Sequence, residues 1–551
     1  MEKRLFIVSF LVLMLTLPFL NKAFHFDDVF FIYVARQMVK DPLHPYSFDM
    51  EFAFNTAPAT RMTDPPLMSG YIGAIILLFG EAEWILHLSY VIFPLIAGIS
   101  MYYIAKKFTD NPLLPTMFLV TSVAFVANAH NLMVDIPFLA FFLLSIALFI
   151  YGVDSNRNYL IALGVIFSGL TYLIKYSALI IFPVLVIYAL SKKKFKPLLY
   201  LTIPIFIMII WNLYTYKIYG VPHNIEALNW LFRAQKISSS SSIIIKSITN
   251  LTYIGGATLF PLMLLYPFII HNKNKLAYIV IAIIASILSV ILYFISINFV
   301  FQYTVPQLAL FAFFLSMGLF LLFVIMRYYW SFFLKFSKSK NMLNNSQCTD
   351  NIFLFSWFLI GFLFNSAVAG GAVRYVTILI PPMMIMYFNI IDYYKLLSPK
   401  HLKNFVLLGL VLTSLLSISV AYADYRLADT YRDFTKEFQS KALDKKVFYT
   451  GNNNFQYYMG KSGYTMLGAN DNSPKKGDLI VKAQLPSPRK FSPLLKERLS
   501  LVETKSYRSS FLVRVNNPKA RAGFYTYGGG FLPYSFSNSN LEDFEIYIAV
   551  K

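Results

Sequence analysis

Apolar runs long enough to cross a bilayer recur from Leu5 to Ala421, each closed by a short polar gap, and the pattern then stops. A crossing helix needs about 20 mostly apolar residues, fewer where flanking side chains snorkel. Such runs begin near residues 5, 83, 112, 136, 158, 176, 197, 250, 276, 304, 352, 375 and 403. The run from 67 to 80 is apolar too, but it is short and is bounded by Pro65-Pro66 and by Glu81 and Glu83. Read as a helix lying in the interface, it leaves about 13 spans and puts Lys106-Lys107 and Lys192-Lys193-Lys194 on one side. The first run follows Lys3 and Arg4 as a signal peptide would, yet Asn21-Lys22-Ala23-Phe24 is a poor cleavage site, so it reads as a retained first helix.

Cation-rich gaps belong in the cytoplasm. Those at 271–275, 327–350 and 392–403 join the two lysine clusters on that side. The N-terminus is then cytoplasmic, residues 21–82 form a first outer loop with interfacial helices, and everything after Ala421 is extracytoplasmic. The expected location is the cell (plasma) membrane, crossed many times.

The tail, 422–551, has a different pattern. Alternating stretches at 446–449, 479–482, 510–515 and 544–548 predict strands, and 424–441 predicts a helix. The fold class expected is thus an α-helical polytopic membrane protein, residues 1–421, followed by a small mixed α/β domain, residues 422–551. Tyr527-Gly-Gly-Gly-Phe531 predicts a turn, since no helix start follows it to make a phosphate cradle.

Composition agrees with the pattern. Hydrophobic residues make up 57% of the 551 and charged residues 14%, about half the charged share of a soluble domain. A net charge of +21 is compatible with nucleic-acid binding. The cations instead sit in gaps between spans, so the partner is the lipid bilayer and no nucleic acid is expected. A single cysteine, Cys348, excludes an intrachain disulfide.

Ionisable groups at membrane depth are costly, so those near span ends on one face are functional candidates. Asp27, Asp28, Asp64, Asp135, Lys175 and Arg374 are far apart in sequence, yet the topology brings all six to the outer side. Asp27-Asp28 opens a helix whose dipole favours carboxylates, and also suits a general base. Asp135 begins a span just before Pro137, as a cap would. Lys175 interrupts an apolar stretch, where a snorkelling lysine is the plain alternative. Arg374 follows Gly370-Gly371 and has the geometry to grip a phosphate or to pair with a lipid headgroup. Acids and cations on one face suit an anionic lipid. Asp27, Asp28 and Asp135 are also candidate ligands for a divalent metal. The outer loop 216–246 holds an amphipathic helix at 225–236 and five serines, suited to a lid or to a plain interfacial linker.

These residues resemble a family. Phe26-Asp27-Asp28-Val29-Phe30-Phe31, with Ala35-Arg36 further along the same helix, is similar to the acidic pair in the first outer loop of protein O-mannosyltransferases and bacterial aminoarabinose transferases. Thr63-Asp64-Pro65-Pro66-Leu67 is similar to their Pro-Pro-Leu segment. The segments 132–137, 173–175 and 371–376 resemble further family blocks in the same order. The likeness covers about the first 420 residues. It implies a C-type (GT-C) glycosyltransferase that transfers a sugar, with inversion, from a polyprenyl-phosphate-linked donor to an extracytoplasmic lipid, glycan or protein. It also implies that Asp27 is the catalytic acid/base position. Asp28 stands where a Glu is commoner, and Asp64 where the aminoarabinose transferases carry a lysine. The departing phosphate would meet Arg374, Lys175 or a metal. The rival readings are a transporter or lipid flippase, which favours internal repeats that are not evident here, and a non-enzymatic envelope protein.

Overall fold

The computed structural model describes every residue except 1, 53–54, 62, 230–242, 272–273, 298–300, 338–345, 370, 397–399, 443–444, 469–470, 487 and 551. All thirteen apolar runs are helical, as they must be where no water is present to satisfy backbone groups. Seven helices among the described residues are long and apolar enough to cross a membrane: Glu83–Phe108, Asp135–Ser155, Lys196–Tyr219, Lys275–Ile295, Val305–Lys335, Ser346–Ala367 and Lys400–Lys441. Ile243–Ala257 and Leu262–Ile269 make an eighth if the pair, bent by 77°, counts as one. The other runs are shorter or broken. Ser122 stops Leu113–Thr121 and caps Val123–Asn128 by accepting from the Phe125 amide at 3.2 Å. Lys175 adopts an extended conformation between Asn158–Tyr172 and the helical stretch Tyr176–Ser191. A count of about 13 therefore requires the short helices to cross as well.

The helix Leu67–Phe79 has 13 residues, so it is about 20 Å long, short of the ~30 Å hydrocarbon core. It packs on the helix Asp28–Lys40, where a Cβ on Gly73 would lie 3.2 Å from the Ala35 carbonyl oxygen. A tighter crossing joins Ile243–Ala257 to Val305–Ser337. A Cβ on Gly255 would come within 1.9 Å of the Phe314 oxygen, and one on Gly318 within 2.0 Å of the Leu251 oxygen. Small residues let membrane helices approach this closely.

Charge separates to the two ends of the bundle. The helix Asp135–Ser155 carries Asp135 at its first residue and Asp154 near its last, about 30 Å apart at 1.5 Å per residue. At the Asp154 end, Lys107 pairs with Asp154 and Lys192 with Asp350. This end holds Lys107 and Lys192, one from each of the two lysine clusters. The Asp135 end carries the acid-rich positions and the C-terminal region.

The boundary expected at 421/422 falls inside one continuous helix, Lys400–Lys441. The separate helix read at 424–441 is its second half. Beyond it lies a five-stranded mixed sheet, in spatial order Thr465–Met466, Val447–Thr450, Leu479–Ala483, Glu542–Ala549, Leu499–Tyr507. The first three strands are parallel, and Glu542–Ala549 runs antiparallel to both its neighbours. Phe434 of the long helix stacks on Phe544 with centroids 3.8 Å apart, seating the sheet on the helix. The strand read at 510–515 shortens to Val513–Arg514. The longest strand, Leu499–Tyr507, was not expected, because it is an edge with mostly exposed side chains and little apolar alternation. Residues 527–531 form a tight turn, in which a Cβ on Gly530 would sit 2.2 Å from the Arg521 oxygen.

Candidate active site

The chain enters the site from its first helix through a strained turn. Phe26 has φ of 49°, a left-handed conformation that a bulky residue adopts only under constraint, at a cost of order 1–3 kcal/mol. The turn sends the two neighbouring carboxylates apart. Asp27 Oδ2 accepts from Arg374 Nη1 at 2.9 Å. Asp28 turns inward, fully buried, and accepts from the amides of His25 at 2.9 Å and Leu132 at 2.8 Å. Burial pushes the Asp28 carboxyl up to about 7, against the pull of those two amides. Asp28 thereby ties the first loop to the chain entering the helix that begins at Asp135.

Four of the six expected residues form one contiguous cluster. Lys175 Nζ donates to Asp135 Oδ1 at 2.7 Å, and Arg374 Nε lies 3.9 Å from Asp135 Oδ2. Tyr375 lies beneath both cations, 4.7 Å from Lys175 Nζ and 5.4 Å from the Arg374 guanidinium carbon. Arg374 is held in a short 3₁₀ turn, Val373–Ile378, after Gly371 at φ of 122°. The fifth residue, Asp64, adjoins the cluster in its electrostatics. Burial pushes its carboxyl up to about 6, opposed by Lys175 and Arg374 and reinforced by Asp135 and Asp27. Asp28 is the sixth and stays apart. Arg36 also points elsewhere, gripping Glu81 through Nε and Nη2.

Two groups in the cluster keep bonding capacity. Among the described residues nothing bonds Asp27 Oδ1, and the side chain is 20% exposed. Arg374 Nε is buried without a hydrogen-bond partner, a condition that native interiors rarely leave unexplained. A metal fits less well. Asp27 faces Arg374, Asp135 faces Lys175 and Asp28 faces backbone amides, so the three acids do not converge. No three His, Cys, Asp or Glu among the described residues are placed to share an ion.

A second polar group escaped the sequence reading. Lys22, His25, Asn131, Asp424 and Tyr525 are all buried. Lys22 Nζ donates to both Asn131 Oδ1 and Asp424 Oδ2. Tyr525 donates to Asp424 Oδ2 at 2.6 Å and accepts from Asn131 Nδ2 at 2.7 Å. His25 Nε2 is 3.0 Å from Asp424 Oδ1, close enough for an ion pair but off the hydrogen-bond axis. Lys22 and Asp424 each flank an apolar run, which marks them as unusual, but no sequence signal joins residues 402 positions apart. The expected lid helix at 225–236 is described only to residue 229, and its serine run lies outside the described residues. Nearby, His223 stacks on Tyr46 at 4.4 Å and shares a 2.6 Å hydrogen bond with Tyr176, the residue after Lys175.

The fold and this site define a polytopic helical membrane protein with an acid-and-cation cluster at one end of its bundle. Residues 63–214 match the model of the family described as dolichyl-phosphate-mannose-protein mannosyltransferase. The match covers under a third of the chain, and over that segment the chain is similar to this family. No curated protein matches by sequence. Among solved structures it is similar to ArnT from Cupriavidus metallidurans bound to undecaprenyl phosphate, at 12% identity over 90% of this chain and 95% of that one, with a TM-score of 0.46. It is also similar to the arabinofuranosyltransferase AftD from Mycobacteria, at 10% identity, 100% of this chain and 40% of that one, TM-score 0.41. The arabinosyltransferase EmbB from Mycobacterium smegmatis gives 12% identity, 91% and 46% coverage and a TM-score of 0.31. The chain spans less than half the length of either mycobacterial protein. Likenesses this distant assign no activity.

Proposed function

We propose that the chain transfers a sugar, with inversion, from a polyprenyl-phosphate-linked donor to an extracytoplasmic acceptor. The observation that carries this reading is the Asp27–Arg374 pair at 2.9 Å, beside Lys175 and Asp135. The matched family's description, which names a dolichyl-phosphate-linked mannose, supports a lipid-linked donor. Attack at the anomeric carbon forms a bond from the acceptor oxygen and breaks the bond to the phosphate oxygen. Asp27 Oδ1 takes the acceptor proton, with Oδ2 held by Arg374 so that the free oxygen faces the reaction. The departing polyprenyl phosphate gains negative charge, which the unpartnered Arg374 Nε and Lys175 stabilise. Asp135 keeps both cations in place.

In this reading the cluster faces outward, and residues 422–551 form an extracytoplasmic domain. A cysteine at the exposed Asn538, in a Cys348→Ser background, labels from outside if that orientation is right and only from the cytoplasm if it is wrong. The activity itself is tested in two stages. Mass spectrometry of glycolipids and glycoproteins from a deletion strain identifies the acceptor. Purified protein in nanodiscs is then supplied with that acceptor and polyprenyl-phosphate sugars. Sugar transfer is expected, and an unchanged glycan inventory with no transfer refutes the proposal.

A further inference from the structure

Both partners of the Asp27–Arg374 pair are held by one dipeptide of the C-terminal region. The Phe524 carbonyl accepts from the Val373 amide at 2.9 Å, fixing the residue before Arg374. The next residue, Tyr525, stacks on Phe26, the residue before Asp27, with centroids 5.0 Å apart and planes 19° from parallel. Phe26 is the left-handed residue that separates Asp27 from Asp28. A conformation of that kind persists only where its surroundings over-determine it. Tyr525 is itself immobilised. It is 2% exposed, its hydroxyl is shared between Asp424 and Asn131, and His25 meets its ring edge-on at 5.2 Å.

We propose that Tyr525 is a positioning residue for Asp27, its ring holding the Phe26 turn that aims the carboxylate at Arg374. The C-terminal region is then part of the reaction centre and not an appended module. The inference rests on the transferase reading for its catalytic consequence, but its structural content stands separately. The restraint passes from Tyr525 to Asp27 through the Phe26 ring and backbone. Releasing the turn lets Asp27 drift by the order of an ångström, which costs about 10-fold to 100-fold in rate.

The test uses the full chain in nanodiscs with Tyr525→Leu, Tyr525→Phe, Phe26→Ala and the Phe26→Ala/Tyr525→Leu double variant. Tyr525→Leu is expected to lower kcat by about 10-fold to 100-fold with the KM for the polyprenyl-phosphate sugar unchanged. Tyr525→Phe keeps the ring and recovers most of the rate. The double variant loses no more than the worse single one, because both changes remove the same contact. Hydrogen–deuterium exchange at residues 25–31 quickens in Tyr525→Leu and not in Tyr525→Phe. Additive losses, equal damage from Phe and Leu, or wild-type kcat and exchange in Tyr525→Leu would each overturn the proposal. If Tyr525→Leu fails to fold, Phe26→Ala decides: alanine loses the ring but keeps the cost of the left-handed turn, so wild-type kcat and exchange there refute a role for the stack. If the wild-type chain transfers nothing, the functional reading fails, and the exchange data alone uphold or overturn the positioning role.

Discussion

Two charge clusters lie side by side at the same end of the bundle and differ in how deeply they are buried and in what their charges face. In the inner one, Lys22 is matched by Asn131 and Asp424, and Asp424 by Lys22, Tyr525 and His25. Every member is buried. In the outer one, Asp27 keeps a free oxygen, Arg374 keeps a free N–H, and Asp27 is 20% exposed. Charge paired out of reach of solvent fixes the path of the chain; a carboxylate left partly exposed is open to a ligand. The difference shows why burial alone does not identify a catalytic carboxylate. Asp28 is the more buried of the adjacent pair, and both its oxygens are occupied by backbone.

The comparison breaks most visibly at Asp27 and Asp424. Asp27→Asn removes the proposed proton acceptor and is expected to cost 10²- to 10⁴-fold in kcat, roughly 3–5 kcal/mol. Its unfolding temperature falls less than that of Asp424→Asn, since the side chain is partly exposed, makes no capping bond, and as asparagine still accepts from Arg374. A wild-type transfer rate would remove Asp27 from the mechanism. Asp424→Asn should do the reverse, because it leaves the Lys22 ammonium buried without its carboxylate. Breaking a buried pair costs about 3–5 kcal/mol, read as a lower unfolding temperature in detergent, and Lys22→Met in the same chain should restore part of it. If Asp424→Asn melts like the wild type, the inner cluster does not hold the path of the chain.

Arg374 tests the outer cluster with a smaller effect. Arg374→Ala removes a charged hydrogen bond worth about 1.5–3 kcal/mol, roughly 10-fold to 150-fold in affinity for polyprenyl phosphate. Equilibrium binding of that lipid to the purified variant measures it, and an unchanged Kd would show that Arg374 holds only Asp27.

The shallowest signal is the pH dependence of Asp28. Burial pushes this carboxyl up to about 7 from the ordinary carboxylate range, so the folded protein binds the proton more tightly than the unfolded chain. Its contribution to stability is full below about pH 4 and is lost as pH rises through about 7, with a slope of at most about 1.4 kcal/mol per unit. Chemical unfolding from pH 4 to 8 should show that fall, and Asp28→Asn should flatten it. A wild-type curve that does not fall between pH 4 and 7 would mean that the two amides outweigh burial.

The comparison also marks the limit of what sequence can reveal. The outer cluster was legible because its members each break an apolar run: Asp27-Asp28 after the first, Asp135 before Pro137, Lys175 inside a long one, Arg374 after two glycines. Those interruptions also located helix ends, since the chain turns where charge enters. Asp28 shared all of Asp27's local signals, and only the Phe26 turn separated their fates. Lys22 and Asp424 left weaker signals, and Tyr525 none, because an aromatic residue in a Gly-rich tail has many plausible packings.

The sequence by itself determined the class of structure. Membrane crossing is a local property, decided by about 20 consecutive apolar residues and the backbone's need to bond within its own helix. It likewise determined which ionisable residues would be costly to bury, and so which deserved a role. The tertiary structure decided how those residues pair. It also ran the last long helix past Ala421 into the tail, and it brought Phe524 and Tyr525 against the residues preceding Arg374 and Asp27. Those outcomes depend on contacts between residues hundreds of positions apart, where the free energy lies in packing and charge pairing that no local pattern encodes.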